Sequence, residues 1–374
     1  MKVDFYTSKR EYEENKLEFN NAVINVMQEG ISTLGKEVVD FEKSVEKFTG
    51  VKHAIAVASG TDALTLASDI LGFKNGKEII TSPFTFLAST SCITRGGGIP
   101  VFVDIDPESF NIDANKIEEK ITKNTIGILP IHLFSQMADM DKIMSIAGSY
   151  SLKVLEDAAE AFGMRWKGNG DTFKHSGTIG DLGVFSFFPT KTLGAYGDGG
   201  MIVTNDDKLA SLARMYRVHG ASEKYHYDYI GYNSRLDTMQ AAILQVKMRY
   251  ISENIRKRET IANWYFNRLK NCKEIRFANI KGEQNPVYYV FNILIEKRDE
   301  LAEYLQKNQV QFSIYYPIAL HLQKCFSYLG YKNGDFPVSE SISNRILALP
   351  IYPQIKEVEV DFVCETIINF FERF

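Results

Sequence analysis

Cysteine is scarce in this sequence. The four residues among 374, Cys92, Cys272, Cys325 and Cys364, keep no regular spacing and form no Cys-x-x-Cys pair. That scatter argues against a disulfide framework and a thiolate zinc site, and points to the cytoplasm. Histidine is thin too, at six, with no His-Glu-x-x-His, so the familiar helix-borne metal ligands are missing. No stretch reaches the ~18 consecutive apolar residues of a membrane span. The N-terminus carries Lys2, Asp4, Lys9 and Arg10 where a signal peptide would place its apolar core. Charge of one sign is also lacking: the net charge of −4 gives no pull toward nucleic acid or anionic membranes. The one compact basic cluster, Arg256-Lys257-Arg258, falls on an amphipathic stretch and is expected to be a solvated helix face.

Familiar phosphate and hydrolase motifs are missing as well. Pro189 and Thr190 precede Lys191 where a Walker A loop needs glycine before its lysine. No Gly-x-Gly-x-x-Gly follows a strand and opens a helix; Gly197, Gly199 and Gly200 precede a strand instead. No Gly-x-Ser-x-Gly elbow occurs. Triphosphate, dinucleotide and serine-hydrolase chemistry are therefore left without support.

What is present is an ordinary soluble composition, 45% hydrophobic and 24% charged, in a chain long enough for two or three domains. From about residue 50 to 205, helical patterns alternate with β-rich runs at His53–Ala58, Glu78–Thr81, Pro100–Val103, Ile126–Ile131, Lys153–Leu155, Val184–Phe187 and Met201–Thr204. Such alternation predicts an α/β domain with a mainly parallel sheet. Phe41, Val45 and Phe48 predict a helix before residue 50, and the pattern from Leu236 to about Ser252 predicts one long connector helix. Beyond it, strands are expected at Val287–Ile295 and Gln311–Tyr316, flanking a helix at Arg298–Lys307. The expected division is residues 1–250, a large domain with its connector, and 251–374, a smaller α/β domain.

Strands of a parallel sheet aim their carboxyl ends at the ligand crevice, so the loops that follow them are where chemistry is expected. Ser59-Gly-Thr-Asp-Ala-Leu64 opens a helix with small residues. The N–H groups of Gly60 and Thr61 and the Thr61 hydroxyl suit an anion, with simple capping as the competing account. Ser82-Pro-Phe-Thr-Phe86 brings two aromatics, which core packing would equally explain. In Glu156-Asp157-Ala-Ala-Glu160 a carboxylate at a strand end needs a cation or a proton, making Asp157 a candidate to hold positive charge; capping is again the alternative. Lys191 lies between an apolar strand and a glycine-rich loop with no carboxylate within several residues. Its plain account is a packed stem with the amine in water. An anion-binding helix start, a flat aromatic, a buried aspartate and a lysine are together the needs of pyridoxal phosphate.

The sequence resembles the DegT/DnrJ/StrS family of sugar-nucleotide aminotransferases, of the aspartate aminotransferase-like fold. The likeness runs in order through Ser59-Gly-Thr-Asp-Ala-Leu64, Pro83-Phe-Thr-Phe-Leu-Ala88, Val103-Asp-Ile-Asp-Pro107, His132-Leu-Phe, Glu156-Asp-Ala-Ala, Ser186-Phe-Phe-Pro-Thr-Lys191, Gly197-Asp-Gly-Gly200, Asn233-Ser-Arg-Leu-Asp237 and Gln240-Ala-Ala242. It implies a three-layer large domain in which Lys191 forms a Schiff base with pyridoxal 5′-phosphate and Asp157 pairs with the pyridine nitrogen. It further implies that Phe86 stacks on the ring, that Gly60, Thr61 and Ser186 hold the phosphate, and that Asn233 reaches the phosphate of a second subunit in a homodimer with shared sites. Glu160 departs from the glutamine or histidine common in the family near the cofactor's phenolic oxygen.

By the same resemblance, L-glutamate would donate the amino group, pyridoxamine 5′-phosphate would carry it, and a keto-sugar nucleotide would receive it for amino-sugar and surface polysaccharide or lipopolysaccharide synthesis. The form of the lysine loop is similar to that of members acting on 3-keto sugars, which points to a dTDP- or UDP-linked 3-keto hexose; a 4-keto sugar is the alternative. Tyr225, His226, Tyr316 and His321 are candidate substrate contacts, with packing or dimer contact as the competing account. Lys191 argues against the dehydratase-type members, which carry histidine there. A catalytically silent regulatory module on the same fold remains a separate reading.

Overall fold

The computed structural model describes residues 1–134 and 136–373. Its frame is a seven-stranded sheet whose strands fall on the expected runs: β1 (His53–Val57), β2 (Glu78–Thr81), β3 (Ile99–Phe102), β4 (Thr125–Ile128), β5 (Lys153–Asp157), β6 (Leu182–Ser186) and β7 (Gly200–Thr204). In space they lie in the order β1-β7-β6-β5-β4-β2-β3. The pairings from β6 through β3 are parallel, whereas β7 is antiparallel to both β6 and β1. Six strands therefore point one way, and their carboxyl ends share one edge.

Consecutive residues in these strands are buried, and successive side chains of a strand leave on opposite faces, so both faces must be covered. Ile55, Leu155, Val184 and Ile202 pack on one side with Leu64, Leu66 and Ile93. Those residues come from α4 (Gly60–Ile70) and α5 (Leu87–Arg95), joined by Ala210 and Ala213 of α7 (Asp207–Tyr216). Val154, Phe185, Met201 and Val203 pack on the other side, against α3 (Lys36–Thr49), α6 (Met140–Tyr150) and α8 (Thr238–Met248). The result is a three-layer α/β/α unit.

The first fifty residues hold two further helices, α1 (Lys9–Glu14) and α2 (Lys16–Glu29), where one helix is expected. The connector is likewise divided. α8 stops at Met248 and α9 (Ile251–Leu269) begins after Arg249 and Tyr250, whose side chains both turn to Glu18 of α2. A second, antiparallel sheet, β8 (Arg276–Phe277), β9 (Phe291–Leu294) and β10 (Ile346–Leu349), packs with α9, α10 (Arg298–Lys307) and α11 (Glu357–Arg373) around Tyr265, Phe291, Leu301 and Ile367. The strand expected at 287–295 is cut to four residues because Tyr288 takes a left-handed φ of 43°. At 311–316 a single bridge, Ser313 to Ala348, stands in place of a strand.

The basic cluster also differs from expectation. Arg258 is fully buried, its guanidinium donating to the carbonyls of Tyr288 (3.1 Å), Tyr289 (3.4 Å) and Ile351 (3.0 Å), so only part of that stretch is a solvated face. The chain start lies against the second sheet's elements, with Val3 bridging Val310 and Arg10 donating both guanidinium arms to Glu359 at 2.6 Å. Among the described residues no helix is long and apolar enough to cross a membrane, and no group of three His, Cys, Asp or Glu side chains is placed to hold a metal.

Candidate active site

A cavity of about 400 Å³ opens at the carboxyl ends of the parallel strands. Asp157 is the last residue of β5 and Ser186 the last of β6, while α4 starts three residues after β1. Phe86 stands at the N-cap of α5. Topology thus delivers residues from five separate stretches of sequence to one place, where Gly60, Thr61, Phe86, Asp157, Glu160, Ser186, Lys191 and Tyr316 all line the wall.

Glu156 and Asp157 are neighbours in sequence and part company in space because they leave opposite faces of β5. Glu156 is fully buried away from the cavity. It is bonded to His132 Nε2 (2.9 Å) and accepts the N–H groups of Gly177 (2.9 Å), Ile179 (2.6 Å) and Gly180 (2.6 Å). That set satisfies it and gives it a structural task. Asp157 faces the cavity: Oδ2 accepts from Ser89 Oγ at 2.6 Å and Oδ1 from the Ala159 N–H at 3.1 Å. Ser89 in turn meets Thr85 Oγ1 at 3.0 Å, one turn back at the start of α5.

Lys191 lies in the loop after β6, which Tyr6 pins from behind by donating its hydroxyl to the Pro189 carbonyl at 2.6 Å. The lysine is only 14% exposed, with Nζ 3.6 Å from Glu160 Oε1 and 4.2 Å from the ring centre of Tyr289. Burial pushes the amine's pKa down, yet Tyr289, Glu160 and Asp157 outweigh it and leave it above the usual lysine value. Burial dominates for Glu160 and raises it, against the lowering effects of Lys191 and of Tyr316, whose hydroxyl donates to Oε1 at 3.1 Å.

Gly60 begins α4 in contact with Ser186. A Cβ at position 60 would stand 2.7 Å from Ser186 Cβ and 2.9 Å from its Oγ. Ser59 caps the helix by accepting the Asp62 N–H at 3.1 Å. The N–H groups of Gly60 and Thr61 have no carbonyl one turn back, so this corner is a ready anion cradle bordered by the Ser186 hydroxyl. Phe86, 59% exposed, turns bare aromatic surface to the cavity. Pyridoxal phosphate fits this set, with the cradle for its phosphate, Phe86 for its ring face, Asp157 for its ring nitrogen and Lys191 for its aldehyde. Glu160 Oε2, buried and unpartnered among the described residues, also awaits a polar group.

Gly60→Ala tests the cradle. The added methyl must push Ser186 or the helix start aside at a cost of about 1–3 kcal/mol, so cofactor affinity measured by titration should fall roughly 5- to 150-fold in a folded protein. Unchanged affinity would mean that the phosphate is held elsewhere.

Four expected site residues are not brought to this cavity. Asn233 is exposed, its backbone bridged to Val218. Tyr225 and His226 sit on an exposed hairpin, Ala221–Glu223 with His226–Tyr227. His321 is buried beside Phe336, bonded through Nε2 to Glu340 Oε1 at 2.9 Å, a packing role in this chain. Conversely, Thr85, Ser89, Tyr289 and Tyr315 line the wall without having been marked in the sequence. Thr85 and Ser89 had a legible signal, polar residues four apart in a helix start beside Phe86. Tyr289 had none, being almost a hundred positions from Lys191.

Comparison with known proteins agrees with this geometry. A family model described as the DegT/DnrJ/EryC1/StrS aminotransferase family matches residues 13–368. The chain is 41% identical to a pleiotropic regulatory protein of Geobacillus stearothermophilus, covering 100% of both chains. It is 39% identical to a dTDP-3-amino-3,6-dideoxy-alpha-D-galactopyranose transaminase of Aneurinibacillus thermoaerophilus, covering 94% of each. The crystal structure of DesV from S. venezuelae, in complex with a ketimine intermediate, superposes with a TM-score of 0.95 at 33% identity, covering 100% of this chain and 99% of that one. Another solved neighbour holds pyridoxamine phosphate as bound cofactor. With the lysine, the aspartate and the anion cradle in one cavity, the chain belongs to the DegT/DnrJ/EryC1/StrS aminotransferase family and is a pyridoxal phosphate-dependent aminotransferase.

Proposed function

We propose that this enzyme moves the amino group of L-glutamate onto a keto-sugar nucleotide, at C3 of a dTDP- or UDP-linked hexose. Its product would serve amino-sugar and surface polysaccharide synthesis, including lipopolysaccharide. The carrying observation is the convergence of Lys191, Asp157 and the α4 anion cradle in one cavity. The name of the A. thermoaerophilus relative, a 3-amino sugar transaminase, supports the choice of C3. The reading takes residues 1–250 as the cofactor-binding domain and 251–374 as the small one, working in the cytoplasm without nucleic acid or membrane.

When bound, pyridoxal phosphate supplies an electron sink that lets the donor's Cα–H bond break heterolytically. The chain's residues do the rest. Gly60, Thr61 and Ser186 hold the phosphate and Phe86 covers the ring. Asp157, steadied by Ser89 and the Ala159 N–H, holds the positive ring nitrogen in place. Lys191 Nζ, once free, takes the proton from the donor's α-carbon and later returns it, acting as general base and then acid. Tyr316 borders the sugar side.

A homodimer belongs to this reading, with Asn233, Tyr225 and His226 turned to the partner's site. Leu17 (78% exposed), Met27 (69%) and Ile230 (96%) leave apolar surface that a second copy would cover. The regulatory name of the G. stearothermophilus relative favours a second reading, a regulator on this fold. Absorbance separates the two. An aminotransferase loaded with pyridoxal phosphate shows a band at roughly 400 to 430 nm that L-glutamate abolishes, whereas a silent module stays colourless or indifferent. Incubation with glutamate and a panel of 3- and 4-keto-sugar nucleotides, with products read by mass and NMR, tests the substrate. No amination at C3 would overturn the proposal.

A further inference from the structure

We propose that Glu160 is the proton acceptor for Lys191, taking the proton carried by the lysine nitrogen so that this nitrogen can act as a base. The inference rests on the transamination reading above. Glu160 Oε1 is the carboxylate oxygen paired with Nζ, at 3.6 Å, and both side chains are withdrawn from water, at 8% and 14% exposed. The Tyr316 hydroxyl fixes the carboxyl by donating to the same Oε1 and the Phe134 backbone N–H also faces the carboxyl, while Oε2 is buried with no close hydrogen bond among the described residues. A carboxyl buried in this way is less costly as the neutral acid than as the anion.

Asp157 is poorly suited to the same task, because both of its oxygens already accept hydrogen bonds, from Ser89 and from the Ala159 N–H. The other titratable groups facing the pair are tyrosines. Tyr289 lies 4.2 Å under Nζ, while Tyr315 and Tyr316 close the wall. Burial raises the Glu160 pKa, Lys191, Tyr316 and the Phe134 backbone oppose it, and Asp157 adds to the rise, so the carboxyl is held above its ordinary value. In the transfer one Nζ–H bond breaks and one O–H bond forms at Oε1. Two opposite charges disappear together, so no net charge is left in a site screened from water.

The test uses the wild-type enzyme, E160Q and E160D, each loaded with pyridoxal phosphate. The visible band is first titrated with pH, without donor. A lysine–glutamate pair holds its shared proton more tightly than a lone lysine does. The midpoint at which the lysine nitrogen loses its proton should therefore fall by about one pH unit or more in E160Q, with E160D between. Each protein is then mixed with L-glutamate. Loss of the band should slow roughly 100-fold in E160Q and lose its pH dependence. An E160Q enzyme of wild-type melting temperature whose midpoint and rate match the wild type overturns the proposal. If E160Q does not load cofactor, E160D decides on the same midpoint, and an unmoved value overturns it. A wild-type band that titrates but ignores L-glutamate defeats the donor assignment, and the midpoint still judges Glu160.

Discussion

Lys191→Ala should abolish turnover while leaving the cofactor bound without a covalent link. The amine is both the attachment point and the proton carrier for two half-reactions, so no other group lining the cavity can replace it. Glu160 has no amine to bond the cofactor's aldehyde, and Tyr289 presents its ring face to Nζ. A loss on the order of 10⁴-fold or more in kcat is expected, from nucleophilic and acid–base contributions removed together. Dialysis should strip pyridoxal phosphate from the variant faster than from the parent, because the Gly60–Thr61–Ser186 cradle alone retains it. Full activity in Lys191→Ala, measured with glutamate and any accepted keto-sugar nucleotide, would refute the assignment of this cavity as the catalytic one.

Asp157→Asn should produce the second-largest effect, a fall on the order of 10³-fold in the rate at which L-glutamate bleaches the visible band. Asparagine keeps the size of the side chain and can still meet Ser89 and the Ala159 N–H, so the protein should fold and load cofactor. What it loses is the negative charge facing the ring nitrogen, and with it the electrostatic support for charge developing there. Ser89→Ala removes only the 2.6 Å hydrogen bond that steadies the carboxylate, a bond to a charged group worth about 1.5–3 kcal/mol, so its effect should be the milder of the two. Bleaching by Asp157→Asn at a rate within tenfold of the parent would show that the aspartate does not face the ring nitrogen.

Much of this site could be read before any coordinates because its parts sit at strand ends, and strand ends are marked by abrupt changes in composition. Val154-Leu155 giving way to Glu156-Asp157, and Phe185-Ser186 giving way to Pro189-Thr190-Lys191, announce where the sheet stops and the chemistry starts. Residues that come together across unrelated segments leave no such mark. Tyr289 reaches Lys191 only because the backbone turns at Tyr288, and Arg258, whose neighbours in sequence read as a solvated face, holds that turn from inside. The division between α8 and α9 was hidden for a similar reason, since what stops the helix is a pair of contacts with Glu18, over two hundred residues away. His321 lies away from the cavity, with Nε2 bonded to Glu340 and its ring beside Phe336, which fits the packing account that the sequence also allowed.

The tyrosine wall bears on how such a protein can be recombined. Lys191 and Asp157 come from the first sheet, whereas Tyr289, Tyr315 and Tyr316 enter the cavity from segments past residue 280. A chimera that keeps residues 1–250 of this chain and takes the remainder from a relative would inherit its reaction from one parent and the lining beside its lysine from the other. Arg258 travels with the donated half and carries the carbonyl contacts that set the Tyr289 turn, so that wall moves as an intact block. A single crossover would then exchange the tyrosines around the lysine while Lys191, Asp157 and Glu160 stay in place.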